Sequence, residues 1–167
     1  VYKRQELSRA LSNTRASGPG VQRVAFDSRQ IVSGDLFFAL AGDPGERFNP
    51  SHRSDIDGHD YVLDAQANGA VGLVVQRPLA NCDLPQIVVK DTYDALWQLG
   101  SAARERLSDP VVAVTGSSGK TTAKRFLAAA LDAYAPPGSF NNHIGVPLSL
   151  ANAALDASAS VFEVGTN

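Results

Sequence analysis

Val111-Val112-Ala113-Val114-Thr115-Gly116-Ser117-Ser118-Gly119-Lys120-Thr121-Thr122 decides the fold. The apolar run Val111–Val114 predicts a strand of a parallel sheet, covered on both faces. Downstream, Leu127, Ala130, Leu131 and Tyr134 recur at i, i+3, i+4 and i+7, which predicts a helix closed by Pro136-Pro137-Gly138. A strand, a glycine-bearing turn and a helix form the context in which a phosphate-binding loop works. The glycines let the backbone wrap closely around an anion. The first N–H groups of the helix lack partners inside it, and the helix dipole favours negative charge there. Lys120 is then expected to reach the β- and γ-phosphates, and Thr121 to offer its hydroxyl to Mg²⁺. The candidate nucleotide-binding residues are Thr115, Gly116, Ser117, Ser118, Gly119, Lys120, Thr121 and Thr122. Val114 stands where the long form of the loop carries its first glycine, leaving the shorter string G-x-x-G-K-T. That string alone also reads as a glycine-rich turn with an exposed lysine.

Working outward, Asp91-Thr92 predicts the N-cap of a helix carrying Leu96, Leu99, Ala103 and Leu107 on one face. Strands are expected at residues 24–26, 36–40, 71–75 and 86–89, and a helix over about 60–68 with Gly69 as its C-cap. Leu7, Ala10 and Leu11 predict a short N-terminal helix, and Gly42, Pro44, Gly45, Pro50 and Gly58 punctuate a long polar loop over 42–58. Strands alternating with helices argue an α/β chain. It reads as a small α/β N-terminal domain over 1–91, followed over 92–167 by the start of a P-loop parallel-sheet ATPase domain. Ser160–Val164 reads as another strand of that sheet. Glu163, near its carboxyl end, would face the ligand crevice of a parallel sheet or else stand as a solvated strand-end carboxylate.

The chain has 167 residues, 44% apolar and 19% charged, with a net charge of −2, which gives no electrostatic reason for a nucleic-acid or anionic-membrane partner. Its apolar runs fall well short of the roughly 20 residues that span a bilayer. Cys82 is the single cysteine, so no intrachain disulfide forms, which fits a reducing cytoplasm. Val1–Glu6 carries no apolar segment of a signal peptide. The absence of methionine, and an end soon after the strand at 160–164, are read as marks of a chain whose start is missing and whose ATP domain is cut short.

Four segments, taken together and in order, resemble the Mur ligases, the ATP-dependent amide ligases that build peptidoglycan precursors. They are Thr115–Thr121; Ser139-Phe140-Asn141-Asn142-His143-Ile144-Gly145-Val146-Pro147-Leu148; Val161-Phe162-Glu163-Val164-Gly165-Thr166-Asn167; and Asp27-Ser28-Arg29 with Gly34–Leu40 and Asp57-Gly58-His59-Asp60. The asparagine segment is the most discriminating. It is similar to the branch of the family that adds D-alanyl-D-alanine, whereas the branch adding the third peptide residue carries Thr-Thr-Pro there. The loop at 42–58 is longer than the family pattern.

The resemblance implies a three-domain enzyme that phosphorylates a carboxylate of UDP-N-acetylmuramoyl-tripeptide and joins it to the amine of D-alanyl-D-alanine. It implies ATP and Mg²⁺ as cofactors, Thr121 and Glu163 as metal ligands, and Lys120 and Asn142 as catalytic residues. Ser28, Arg29 and Asn142 become candidate substrate contacts, in a monomeric, cytoplasmic protein without nucleic-acid or membrane partners. Plainer readings stand beside these. Asn141, Asn142 and His143 also read as loop caps, and Arg29 as half of a structural ion pair in which Asp27 is structural. His52 and His59 lack zinc-site spacing, Cys82 lacks an activating partner, and Arg47 and Arg53 read as solvated loop charges. The alternatives are a third-residue-adding Mur ligase, a generic P-loop NTPase or small-molecule kinase, and a non-catalytic module derived from a ligase.

Overall fold

The computed structural model describes residues 20–45, 48 and 54–165. The helix expected near Leu7, the side chains of Arg47, His52 and Arg53, and Thr166-Asn167 lie outside the described residues. The chain divides into two units, one ending at Gln98 and one starting at Leu99.

The first unit is a four-stranded parallel sheet in the order β1-β2-β3-β4. Its strands are β1 (Arg23–Ala25), β2 (Asp35–Phe38), β3 (Gly72–Val75) and β4 (Gln86–Val88). The two central strands are buried along their whole length, and accordingly read Asp-Leu-Phe-Phe and Gly-Leu-Val-Val rather than alternating. Each large side chain so buried contributes roughly 1.5–3 kcal/mol. Helix α1 (Val62–Ala67) lays Val62 and Ala65 into a cluster with Phe37, Leu73 and Val75. Gly69, at φ +103°, lies just past its end, as the sequence predicts, and the Ala70 amide closes on the Ala65 carbonyl at 3.0 Å. The one charged residue of β2, Asp35, is fully buried and accepts from Arg23 and from the Val32 amide.

Helix α2 (Thr92–Arg106) begins in the first unit and ends in the second. The Asp91 carboxylate accepts from the Asp94 amide at 2.9 Å, the cap expected from the sequence. Leu96, Leu99, Ala103 and Leu107 are all buried, as their spacing predicts. Tyr93 donates to the Ala41 carbonyl and stacks on Phe48.

In the second unit β5 (Val111–Val114) pairs in parallel with β6 (Ser160–Glu163), in a register that sets Val114 opposite Glu163. Between them run α3 (Lys120–Leu131) and α4 (Gly145–Ala151). The α/β class, with a P-loop parallel sheet following a small α/β unit, is as expected from the sequence.

Three details differ. β5 is only partly covered and Ala113 is exposed, because β6 is its single partner among the described residues. β6 is fully buried: on its other side the backbone of Tyr134 bonds Ala159 and Val161. Helix α3 ends at Leu131, where Asp132 turns left-handed at φ +48°, so Tyr134 bridges to Ser160 instead of extending the helix. Helix α4 had no sequence signal because Gly145-Val146-Pro147 reads as a breaker; the proline falls in the first turn, where its missing N–H costs nothing.

Candidate phosphate and cation site

The loop after β5 turns on two residues with positive φ, Gly116 at +141° and Gly119 at +74°. A side chain is strained in that region, so both positions call for glycine. Gly119 is the N-cap of α3 and offers no side-chain oxygen to its first amides. The first bond of the helix runs from the Ala123 amide to the Gly119 carbonyl at 2.9 Å. The amides of Lys120, Thr121 and Thr122 therefore point out of the helix start, toward the loop, as an anion requires. Lys120 folds back over this loop and donates to the Gly116 carbonyl at 2.6 Å. Its ammonium thus hangs over the same concavity. Thr115, Ser117, Ser118 and Thr122 are exposed around it.

Glu163 is brought beside the loop by the β5–β6 register, and the Val164 amide bonds the Val114 carbonyl at 2.9 Å. Glu163 is only 3% exposed, and its carboxylate is well satisfied. Thr121 donates to Oε2 at 2.9 Å, while Ser139 and Asn141 donate to Oε1 at 3.0 and 2.7 Å. Burial alone would push this acid up. The bonds from Asn141, Thr121 and Ser139, with the charge of Lys124, outweigh that and hold it below the ordinary glutamate range.

A hydroxyl and an ionised carboxylate beside a phosphate loop suit a hard divalent cation. Mg²⁺ commonly takes one or two carboxylates and fills its remaining positions with water and phosphate oxygens. Among the described residues no cluster of three or more His, Cys, Asp or Glu offers a cage made wholly of protein ligands. The donor set therefore fits a cation shared with a nucleotide.

The other residues singled out by the sequence fall as follows. Asn142 is exposed, and its Oδ1 caps α4, accepting from the Gly145 amide at 2.8 Å and the Ile144 amide at 3.2 Å. Its neighbour Asn141, read from the sequence as a loop cap, is the one bonded to Glu163. Ser28 is buried and Arg29 is 86% exposed in its side chain, forked onto Asp27 at 2.8 and 2.9 Å. His59 is buried, with Nδ1 on Asp57 at 2.6 Å and Nε2 accepting from the Gln76 amide at 2.9 Å. Cys82 is buried and donates to the Gln66 side-chain oxygen. Sequence reasoning missed Ser139 and Lys124; the latter is buried on α3, and no motif marked it.

With this geometry in place, the class is defined: residues 114–167 match the Mur ligase middle domain. The family resemblance carried by the motifs is borne out. The chain is 41% identical over 155 residues to the UDP-N-acetylmuramoyl-tripeptide–D-alanyl-D-alanine ligase of Haemophilus influenzae, covering 88% of this chain and 32% of that one. Among solved structures it superposes on MurF of Acinetobacter baumannii with a TM-score of 0.76 and 36% identity, over 99% of this chain and 36% of that one. The MurF ligase of Thermotoga maritima, solved in complex with ADP, matches with a TM-score of 0.63 and 34% identity, over 87% of this chain and 32% of that one. The chain thus spans about a third of the length of these relatives. Among the described residues no helix is long and apolar enough to cross a membrane.

Proposed function

We propose that this chain serves an ATP-dependent ligase that joins D-alanyl-D-alanine to UDP-N-acetylmuramoyl-tripeptide during peptidoglycan synthesis. The observation that carries the reading is the convergence of Thr121, Ser139 and Asn141 on Glu163 beside the loop of Lys120. The relatives named for that reaction add their support. In this reading residues 1–91 recognise the UDP-linked precursor, with Ser28 and Arg29 near its uridine end. Residues 92–167 open the ATP-binding domain.

ATP is held by the backbone of residues 115–122 and by Lys120, whose charge moves from the Gly116 carbonyl to the phosphates. Mg²⁺, held by Thr121 and Glu163, would neutralise phosphate charge. The γ-phosphoryl group passes to the terminal carboxylate of the tripeptide, giving an acyl phosphate and ADP. The amine of D-alanyl-D-alanine then attacks the acyl carbon and inorganic phosphate leaves. Asn142 lies next to Asn141 and is taken to contact the precursor or its phosphate. The reading takes the protein to be a cytoplasmic monomer.

The test is phosphate release from ATP by the protein carrying this sequence at its full natural length. Release that requires both the tripeptide precursor and D-alanyl-D-alanine supports the ligase. Release that ignores them points to a generic nucleotide hydrolase. Release that instead requires a precursor one residue shorter together with a single amino acid points to a third-residue-adding ligase.

A further inference from the structure

Lys124 is 2% exposed and sits on α3 one turn after Thr121, on the same side of the helix. A lysine is an expensive choice for packing. Its charge loses its hydration on burial, and the positive end of the helix dipole opposes a cation this early in the helix. Its bonds explain the choice. Nζ donates to the carbonyls of Pro136 and Gly138. Prolines at 136 and 137 have no amide hydrogen, and Gly138 turns with φ +73°, so this stretch cannot be fastened by a run of backbone donors. Two of its carbonyls are held from outside, both by Lys124.

The stretch it fastens leads directly to Ser139 and Asn141, which grip Oε1 of Glu163. Oε2 is left turned to Thr121. One face of α3 therefore sets both sides of the carboxylate, directly through Thr121 and indirectly through Lys124. We infer that Lys124 is a positioning residue for the cation site, tying residues 136–138 to α3 so that Glu163 presents a fixed oxygen beside the phosphate loop. The inference rests on the reading of Thr121 and Glu163 as Mg²⁺ ligands.

The experiment uses the protein at its full natural length, with Mn²⁺ as a spectroscopic substitute for Mg²⁺ and ADP as the nucleotide. Lys124→Met keeps an unbranched side chain one atom shorter and removes the donors. The expected variant is folded by circular dichroism, exchanges the amides of residues 138–142 faster, and binds ADP in EDTA as the parent does. Its half-saturating Mn²⁺ concentration rises roughly 10-fold or more, the usual scale for groups that orient a metal ligand. Asn141→Ala added to Lys124→Met should cause no further loss, because both act through the same grip on Glu163. An unchanged Mn²⁺ requirement in a folded variant, or losses that multiply independently, would overturn the inference. Should Lys124→Met not fold, Lys124→Leu carries the same comparison, since it too removes both donors to the Pro136 and Gly138 carbonyls and leaves an apolar side chain in the buried position. A parent protein that binds ADP but no Mn²⁺ would instead remove the metal reading of Thr121 and Glu163, a result distinct from a failure of Lys124 alone.

Discussion

Thr121 Oγ1 lies 2.9 Å from Glu163 Oε2, although 42 residues separate the two in sequence. The first turn of α3 and the end of β6 meet there because Val114, which enters the phosphate loop, is the register partner of Glu163. The bond is therefore a product of sheet pairing, and it ties Glu163 to the first turn of the helix that follows the glycine loop.

Thr121→Val tests that pair. The substitution keeps the shape and deletes the hydroxyl, so one of the three donors to Glu163 is lost. The fold should lose about 1 kcal/mol by chemical denaturation. Mg²⁺-dependent turnover should fall by roughly two orders of magnitude. Full activity at low Mg²⁺ would take Thr121 out of the cation site.

Lys120→Ala should abolish ligation and leave the melting curve nearly in place. The side chain is half-buried and makes one bond, to the Gly116 carbonyl, whose loss is of little consequence for the fold. Its ammonium lies over the glycine loop, and loss of that charge at the phosphates should drop kcat/KM by several orders of magnitude. Turnover close to the parent's would remove the loop from the chemistry.

Ser28→Ala and Arg29→Ala address the precursor. Arg29 is already paired with Asp27, yet its exposed guanidinium can still reach a ligand. Calorimetry with UDP-N-acetylmuramoyl-tripeptide should show weaker binding for at least one of the two proteins. Equal affinity in both would put the uridine site elsewhere.

Asp57 links acid stability to the first unit. Burial opposes its charge, but the amide and ring of His59, with Arg77 at 3.7 Å, outweigh burial and lower its pKa. A carboxylate lowered on folding stabilises the fold fully above its ordinary value of about 3.9, and that share is lost as pH falls through the lower folded value. Asp57→Asn should cost about 1 kcal/mol at pH 7. The gap from the parent should narrow on acidification below that value. Parallel stability curves for the two proteins down to low pH would contradict the linkage.

Gly100→Ala sets two effects against each other. Alanine favours the interior of α2 by about 1 kcal/mol. Its Cβ would lie 2.8 Å from Pro147 Cα and 3.0 Å from the Pro147 carbonyl oxygen, however, so α2 and α4 must part. Overpacking of this kind costs roughly 1–3 kcal/mol, and the clash is with backbone. Net destabilisation is expected in thermal melts; a stabilised protein would mean that α4 yields freely.

Much of this was written in local pattern. The β5 run, the glycine turn and Lys120 are consecutive, and the spacing of Leu96, Leu99 and Ala103 is helical, so both segments are legible without tertiary knowledge. Glu163 was visible through its place at a strand end. Lys124 was not, because a lysine on a helix reads as solvated until the chain beyond that helix folds back over it. The expectation for Tyr134 failed for a related reason. Its spacing is helical, but a left-handed turn at Asp132 and pairing with β6 claim it first. Asn141 and Asn142 are adjacent and chemically identical, and only the three-dimensional path shows that one grips a carboxylate while the other caps a helix.

The long segment after β2 is closed at its base by two clasps. The Ser54 amide bonds the Gly42 carbonyl at 2.9 Å, and the Gly58 amide bonds the Leu40 carbonyl at 2.8 Å. Both glycines sit where a Cβ would strike the opposite strand of the clasp, at 2.4 Å from Ser54 and 2.7 Å from Leu40. Such a clasp fixes the two ends of the excursion side by side, while Phe48 within the excursion still packs back on Tyr93. Closing a longer excursion costs little, since each doubling adds only about 0.6 kcal/mol. Evolution, or an engineer grafting a peptide tag, can therefore change length beyond the clasps at little cost only where Phe48 keeps its place on Tyr93. The same liberty does not extend to residues 136–141, where a single added residue would carry Ser139 and Asn141 away from Glu163.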